Sequence, residues 1–377
     1  MRPLVGREDG SVVLAFHGSN QTGAILRSFA GGTFDRFAGG FAAGGGGGGG
    51  AAASGAAGSA AGAAATGAAG STAGGLVGGG SIVVYLDGHK RHWNDARRSS
   101  DFAARRDGMD DTAFTIAVLD RLRERFGIDP ARVYAIGFSN GGQMVIRLAH
   151  EIPDRLAGIA IVSVTQSVPA EFAPGPVLSG DGVLPDNAVL SGDGVLPDNA
   201  VLLGDAVPLG DAVPSGDAVP SGDAVPPADV LAPAHPHSLP TILFHGTADP
   251  LVPYGGGMAS LWGFRPRGLG MSAPETAAYF AERNGFPVAG VGSGASGLPG
   301  GVGGVPTTSA VDAPGRSRTS IVRTDYRADG LQPVTLVTIE GGGHVVPNPK
   351  RAPRIMGRST DRLVAADWIA AFFGLLA

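Results

Sequence analysis

Ser139 stands in the segment Gly137-Phe138-Ser139-Asn140-Gly141 and is the only serine of the chain with glycine at both −2 and +2. The segment directly follows the apolar run VYAIGF and directly precedes a helix-forming run at 143–150. A serine on so sharp a strand-to-helix turn is an exposed nucleophile, and glycine on either side leaves room for the neighbouring backbone. Its hydroxyl is weakly nucleophilic at neutral pH. It therefore needs an imidazole base, and that base needs a carboxylate to fix its tautomer and stabilise its charge.

Where a serine elbow opens the site, the chain order is serine, acid, histidine. His344 is the last histidine and follows the apolar run 334–339, with Gly341, Gly342 and Gly343 forming a loop free to bring the ring to the elbow. The acid belongs in a turn after the strand that follows the elbow unit. Asp249 occupies that place, because TILFHG ends a strand and TADP makes the turn. Glu340 lies close to His344 in sequence, and Asp325 or Asp329 is a more remote alternative. The other histidines fit the base role less well. His150 ends the elbow helix, His245 closes a strand before the acid, and His235 and His237 sit at the margin of a repeat tract. The pairs His235/His237 and His89/His92 lack companion Cys or Glu ligands and read as loop residues, so no metal is expected.

A tetrahedral intermediate requires two preorganised N–H donors. One is expected to be the Asn140 amide at the start of the elbow helix. The other is expected from the loop leaving the first strand, His17-Gly18-Ser19-Asn20, with the Ser19 amide favoured. His17 itself is expected to bond backbone and hold that loop. Trp93 and Trp262 are candidates to line the acyl or alcohol site, with burial for packing an equal reading for Trp93; Trp368 is expected to pack.

The elements that must position these residues alternate strand and helix. Strands are expected at Val12–Phe16, Ile82–Leu86, Val133–Phe138, 159–164, 241–245 and 334–339. Most are short Val/Ile-rich runs without strict alternation, as in a parallel sheet covered on both faces. A helix is expected over 112–126, with Phe114, Val118, Leu122 and Phe126 at steps of four, Asp110 or Asp111 as N-cap and Gly127 closing it. Another is expected over 360–373. This rhythm predicts a doubly wound, mostly parallel α/β fold in a single domain spanning residues 1–377.

Three tracts interrupt it. Residues 39–80 are nearly all Gly and Ala with some Ser and Thr, which cannot bury enough apolar surface to pack and predict a flexible insertion. Residues 174–237 carry a duplicated LSGDGVLPDNAV, at Leu178 and Leu190, then four GDAVP copies beginning at Gly204, Gly210, Gly216 and Gly222. Proline in every copy argues for a disordered repeat expansion over a β-helix. Residues 288–316 are another Gly/Ser/Pro tract. Removing all three leaves roughly 240 residues, the size of one domain.

Composition narrows the classes further. Lys and Arg number 28 against 33 Asp and Glu, for a net charge of −5 with no basic run, so nucleic acid is not an expected partner. Cysteine is absent, which excludes disulfides, thiolate metal sites and a Cys nucleophile. No apolar run approaches the ~20 residues of a membrane span, and the N-terminus lacks a basic start with an apolar h-region. The first strand begins so soon after Met1 that truncated N-terminal strands are expected.

In order along the chain, AFHGSNQTG, IVVYLDG with WND, a helix starting DDTAF, DPARVYAIGFSNGGQM, HGTADPLVPYGGG and EGGGH resemble the polyhydroxybutyrate depolymerase-like esterases. These are relatives of the feruloyl and acetylxylan esterases in the α/β-hydrolase superfamily. The similarity spans nearly all of the chain outside the three tracts. It implies an α/β-hydrolase fold, a triad of Ser139, Asp249 and His344, no cofactor, and a secreted or envelope enzyme acting on polyester or on acyl groups of plant polysaccharide. Two departures stand out. His344 is followed by Val345-Val346-Pro347 where such relatives carry Trp-Pro, removing an expected substrate-lining aromatic, and the strands expected before AFHG are absent, leaving a sheet edge incomplete. A prolyl-oligopeptidase-type serine peptidase would share the fold and triad order, and a non-catalytic binding protein could use the same scaffold.

Overall fold

Val12–Phe16 (β1) is buried along its whole length, and its side chains divide by alternation. Val12, Leu14 and Phe16 enter one apolar cluster, while Val13 and Ala15 enter a second on the opposite face. A strand with no polar face must be covered on both sides, and the computed structural model, which describes residues 10–38, 81–173, 201–203, 238–261, 263–288 and 306–375, covers it so. After β1 come Gly23–Phe29 (α1), Ile82–Leu86 (β2), Ala103–Arg106 (α2), Asp111–Phe126 (α3), Val133–Phe138 (β3), Asn140–Glu151 (α4) and Gly158–Val162 (β4). Then follow Val201–Leu203 (β5), Thr241–Gly246 (β6), Gly257–Leu261 (β7), Phe264–Gly270 (β8), Ala273–Arg283 (α5), Thr307–Val311 (β9), Ser320–Tyr326 (β10), Val334–Glu340 (β11) and Ala365–Phe373 (α6).

The main sheet has the order β5-β2-β1-β3-β4-β6-β11-β10-β9. The run from β2 to β11 is parallel throughout, and β5, β10 and β9 add antiparallel edges. One face packs on α3, α4 and α5 through residues such as Leu119, Leu122, Leu148 and Phe280. The other packs on α1, α6 and the turn at Thr33–Ala38 through Leu26, Phe34, Phe37 and Ile369. This is the doubly wound, mostly parallel α/β arrangement expected from the sequence. Each fully buried side chain of this size contributes about 1.5–3 kcal/mol of transfer free energy.

The helix read at 112–126 runs from Asp111, capped by the Asp110 carboxylate accepting from Ala113 N (2.9 Å), and ends at Gly127 with φ 62°. The strand read at 159–164 stops at Val162 because Ser163 turns left-handed, φ 53°. The last helix starts at Ala365, later than 360, because Thr360 and Asp361 are committed to other partners. Asp361 accepts from the amides of Arg316 and Ser317, and Thr360 Oγ1 bonds Thr319 Oγ1. Residues 39–80 lie outside the described residues, as do most of 174–237 with His235 and His237. Two stretches inside the expected insertions are strands. Residues 201–203 pair antiparallel with β2, at the edge expected to be incomplete, and the Thr- and Val-bearing run 307–311 pairs antiparallel with β10. Among the described residues no helix is long and apolar enough to cross a membrane.

Candidate active site

The turn between β3 and α4 holds Ser139 at φ 54°, ψ −117°, a conformation costing a non-glycine residue about 1–3 kcal/mol. Two backbone bonds fix it: Ser139 N donates to Val162 O (3.0 Å) and Gln143 N to Ser139 O (3.1 Å). A Cβ on Gly137 would meet Gly141 O at 2.2 Å, and one on Gly141 would meet Phe16 O at 2.1 Å, so the glycines at −2 and +2 answer to close backbone contact. The strain presents the Ser139 side chain, half-buried, at the C-terminal end of the sheet.

Asp249 and His344 reach the same end on turns stitched to each other. Thr247 N donates to Ile339 O (3.0 Å), Ala248 N to Gly342 O (2.9 Å), and Gly341 N to Thr247 Oγ1 (2.9 Å). The His344 loop is tied further by His344 N to Met356 O (2.6 Å) and Ser163 Oγ to Val345 O (3.0 Å). His344 Nδ1 lies 2.7 Å from Asp249 Oδ2, with both side chains buried. Asp249 Oδ1 meanwhile accepts from Leu251 N (2.8 Å) and Val252 N (2.9 Å). Burial alone would raise the Asp249 carboxyl, but the charge and hydrogen bond of His344 outweigh it and hold the group below its ordinary value. An ionised acid on Nδ1 leaves Nε2 as the basic nitrogen.

The His344 ring packs against Phe138, the residue before Ser139, with centroids 5.1 Å apart. Among the described residues Ser139 Oγ makes no hydrogen bond, so its link to His344 stays open, as often in unliganded sites. The amides of Ser19 and Asn140 likewise donate to nothing among the described residues, whereas Gly18 N donates to Gln21 Oε1 (3.1 Å), Asn20 N to Arg91 O (3.0 Å) and Gln21 N to Gly18 O (3.2 Å). Glu340, by contrast, accepts from Ser320 Oγ, and Asp325 pairs with Arg323 and Arg327.

His17 is fully buried and bonds backbone at both nitrogens, as expected of a residue holding the loop. Gly88 N donates to Nε2 (2.9 Å), so Nδ1 carries the proton and donates to Gly18 O (2.8 Å). Burial lowers its pKa to about 4, keeping it neutral. His245 is also buried and held below its ordinary value, by burial first, with Nδ1 on Gly246 O (3.1 Å). His89 bonds Asp107 and His92 stacks on Phe102, and no cluster of metal-ligating side chains occurs among the described residues.

Of the two readings of Trp93, lining the substrate site or burial for packing, its 0% exposure fits the second. Its indole donates to His17 O (2.9 Å) and sits edge-on to Phe16, placing it under the loop that carries Ser19. Trp262 lies outside the described residues, and Trp368 packs against the α6-side cluster.

Sequence reasoning missed what the Asn140 side chain does. Its carbonyl accepts from Trp93 N (2.9 Å), and its amide donates to Asp95 Oδ2 (2.6 Å). Asp95, fully buried, pairs with Arg97, whose guanidinium also donates to Arg267 O (2.9 Å). Leaving one member of such a buried pair alone costs about 3–5 kcal/mol. The spacing of Asp95 and Arg97 beside Trp93 was the available signal, since a carboxylate buried with a tryptophan requires a partner and an arginine stands two residues away.

Comparison with known proteins places these features in context. Residues 77–183, which include the elbow, match the family model described as Phospholipase/Carboxylesterase. The protein named "Putative esterase NocK" from Nocardia uniformis subsp. tsuyamanensis is 43% identical over 100 residues, which are 26% of this chain. The match spans only 28% of that relative's length. The acetyl xylan esterase from Aspergillus awamori aligns over 99% of this chain and 93% of its own at 13% identity, with a TM-score of 0.44. Over residues 77–183, the segment that holds β3, the strained elbow and α4, the chain is thus similar to the Phospholipase/Carboxylesterase family.

Proposed function

We propose that the protein is a serine carboxylic-ester hydrolase working through an acyl-enzyme. Ser139 Oγ attacks the ester carbonyl as His344 Nε2 takes its proton, and the oxyanion settles against the Ser19 and Asn140 amides. His344 then returns the proton to the leaving alcohol, and water, activated by the same imidazole, releases the acid and restores Ser139. Asp249 orients His344 and stabilises the imidazolium. The observation that carries this reading is the buried 2.7 Å Asp249–His344 pair at the sheet end where the elbow presents an unpartnered serine. No step calls on a metal or cofactor.

The finer assignment is to polyhydroxybutyrate depolymerase-like or feruloyl/acetylxylan esterase-like substrates, on the strength of the ordered motifs from AFHGSNQTG to EGGGH. With 4-nitrophenyl butyrate, rapid mixing is expected to give a burst approaching one 4-nitrophenolate per chain before the slower steady state. A panel of short acyl esters, feruloyl esters and 3-hydroxybutyrate oligomers then ranks the acyl groups. Faster cleavage of aminoacyl anilides than of any ester would assign the site to the peptidases instead.

A further inference from the structure

A cavity of about 550 Å³ opens beside the loop that carries Ser19. Asn20, the next residue, forms part of its wall, so an ester seated with its carbonyl on the Ser19 amide has this space within reach of one arm. The remaining wall is cationic and aromatic: His92 and Phe102, stacked at 4.5 Å, Arg106 from α2, and Arg265 and Arg267 from β8.

These cations are not equivalent. Arg106 is paired, donating to the main-chain O (2.9 Å) and Oδ1 (3.1 Å) of Asp101, the one acid among the described residues that line the cavity. Arg267 spreads its guanidinium over the Phe102 ring, 4.4 Å from the centroid, and among the described residues neither it nor Arg265 forms an ion pair. Arg267 is held below its ordinary value by burial, then by the charges of Arg97 and Arg265, which outweigh the opposing carboxylates of Asp101 and Asp95. His92 is lowered by burial and by Arg267 and Arg106, so it adds no charge at neutral pH. Arg265 sits at φ 53° in a hairpin whose register slips twice, between Met258 and Leu261, and such bulges re-aim side chains.

We propose that this cavity is the subsite for a carboxylate on the ester substrate, held by Arg265 and by Arg267, whose guanidinium is braced on Phe102. Two guanidiniums without ion pairs among the described residues, one of them braced on the Phe102 ring, suit a planar anion, which accepts paired N–H bonds from them. The assignment rests on Ser139 being the nucleophile, because that places the ester carbonyl beside Asn20.

Two matched pairs of substrates test it. Mono-4-nitrophenyl succinate against 4-nitrophenyl butyrate puts the carboxylate on the acyl arm; 4-acetoxybenzoate against its methyl ester puts it on the alcohol arm. In one pair the anionic member is expected to have about tenfold higher kcat/KM. That preference is expected to shrink as NaCl rises from about 50 to about 500 mM, and to fall toward unity in the Arg265→Gln/Arg267→Gln variant. Calorimetry with benzoate supplies a readout without turnover: binding to the wild-type protein, and its loss in the double variant. Equal or lower kcat/KM for the anionic member of both pairs, or a preference that survives the double substitution, overturns the subsite, as does absence of benzoate binding. Neutral-ester turnover abolished by Ser139→Ala shows that the nucleophile reading stands even where the subsite fails.

Discussion

Ser139→Ala is expected to lower kcat for 4-nitrophenyl butyrate by on the order of 10⁶, which is about 8 kcal/mol in the barrier. What would remain is the rate that binding and the two proposed oxyanion amides give to attack by water. The substitution is expected to leave the fold intact. The backbone strain at φ 54° belongs to the turn and is fixed by bonds from Ser139 N and to Ser139 O, which alanine keeps. The hydroxyl itself bonds nothing among the described residues, so its removal strands no partner. Thermal unfolding followed by circular dichroism should therefore give a Tm close to wild type alongside the lost activity. Hydrolysis that persists within about tenfold of wild type would remove Ser139 from the mechanism.

Asp249→Asn is the second large effect, a fall in kcat of on the order of 10⁴ with KM little changed. The substituted side chain would still accept from the amides of Leu251 and Val252 through its carbonyl, so the turn keeps its shape. It would lack the ionised oxygen that His344 Nδ1 now faces at 2.7 Å. Two consequences follow: the imidazolium formed during attack loses its counter-charge, and an amide N–H facing Nδ1 favours the tautomer with its proton on Nε2, which cannot act as base. Steady-state kinetics of the purified variant, with the melting curve as control, separate this from unfolding. A loss smaller than about tenfold would point to another carboxylate as the partner of His344.

Much of this was readable from residues alone. The parallel core announced itself because β1, β2, β3, β4, β6 and β11 are short, apolar and bounded by turn residues, and a run such as VYAIGF ending in GFSNG has few other structural uses. The positions of Asp249 and His344 followed from chain order, since each leaves the C-terminal end of a sheet strand. The strands β10 and β9 were harder. SIVRTDY mixes charge into its apolar positions and lies next to the edge strand β9 with most of its side chains half-buried, so neither alternation nor a continuous apolar run develops. The α5 start was legible in principle: Ser272 and Glu275 form a reciprocal capping box around Pro274.

Side-chain networks were least legible. Asn140, Asp95 and Arg97 meet only because α4 and the 93–97 segment pack together, and no periodicity within one segment encodes a bond across 45 residues. Trp93 illustrates the same limit. A tryptophan near the site in sequence can face a ligand or carry the loop beneath it, and its bond to His17 O decides for the second. Val345 and Val346, where the resemblance leads one to expect a tryptophan, are both buried, so they leave the cleft without that aromatic.

The central claim is that Ser139 is the residue acylated, and a covalent probe reads it directly. A fluorophosphonate reacts only with a serine activated by its base, so incubation with the probe followed by mass spectrometry should show a single adduct, mapped to the peptide containing Ser139, with loss of ester hydrolysis in step with labelling. An unlabelled Ser139 in a protein that still hydrolyses esters, or an adduct on another residue, would contradict the account.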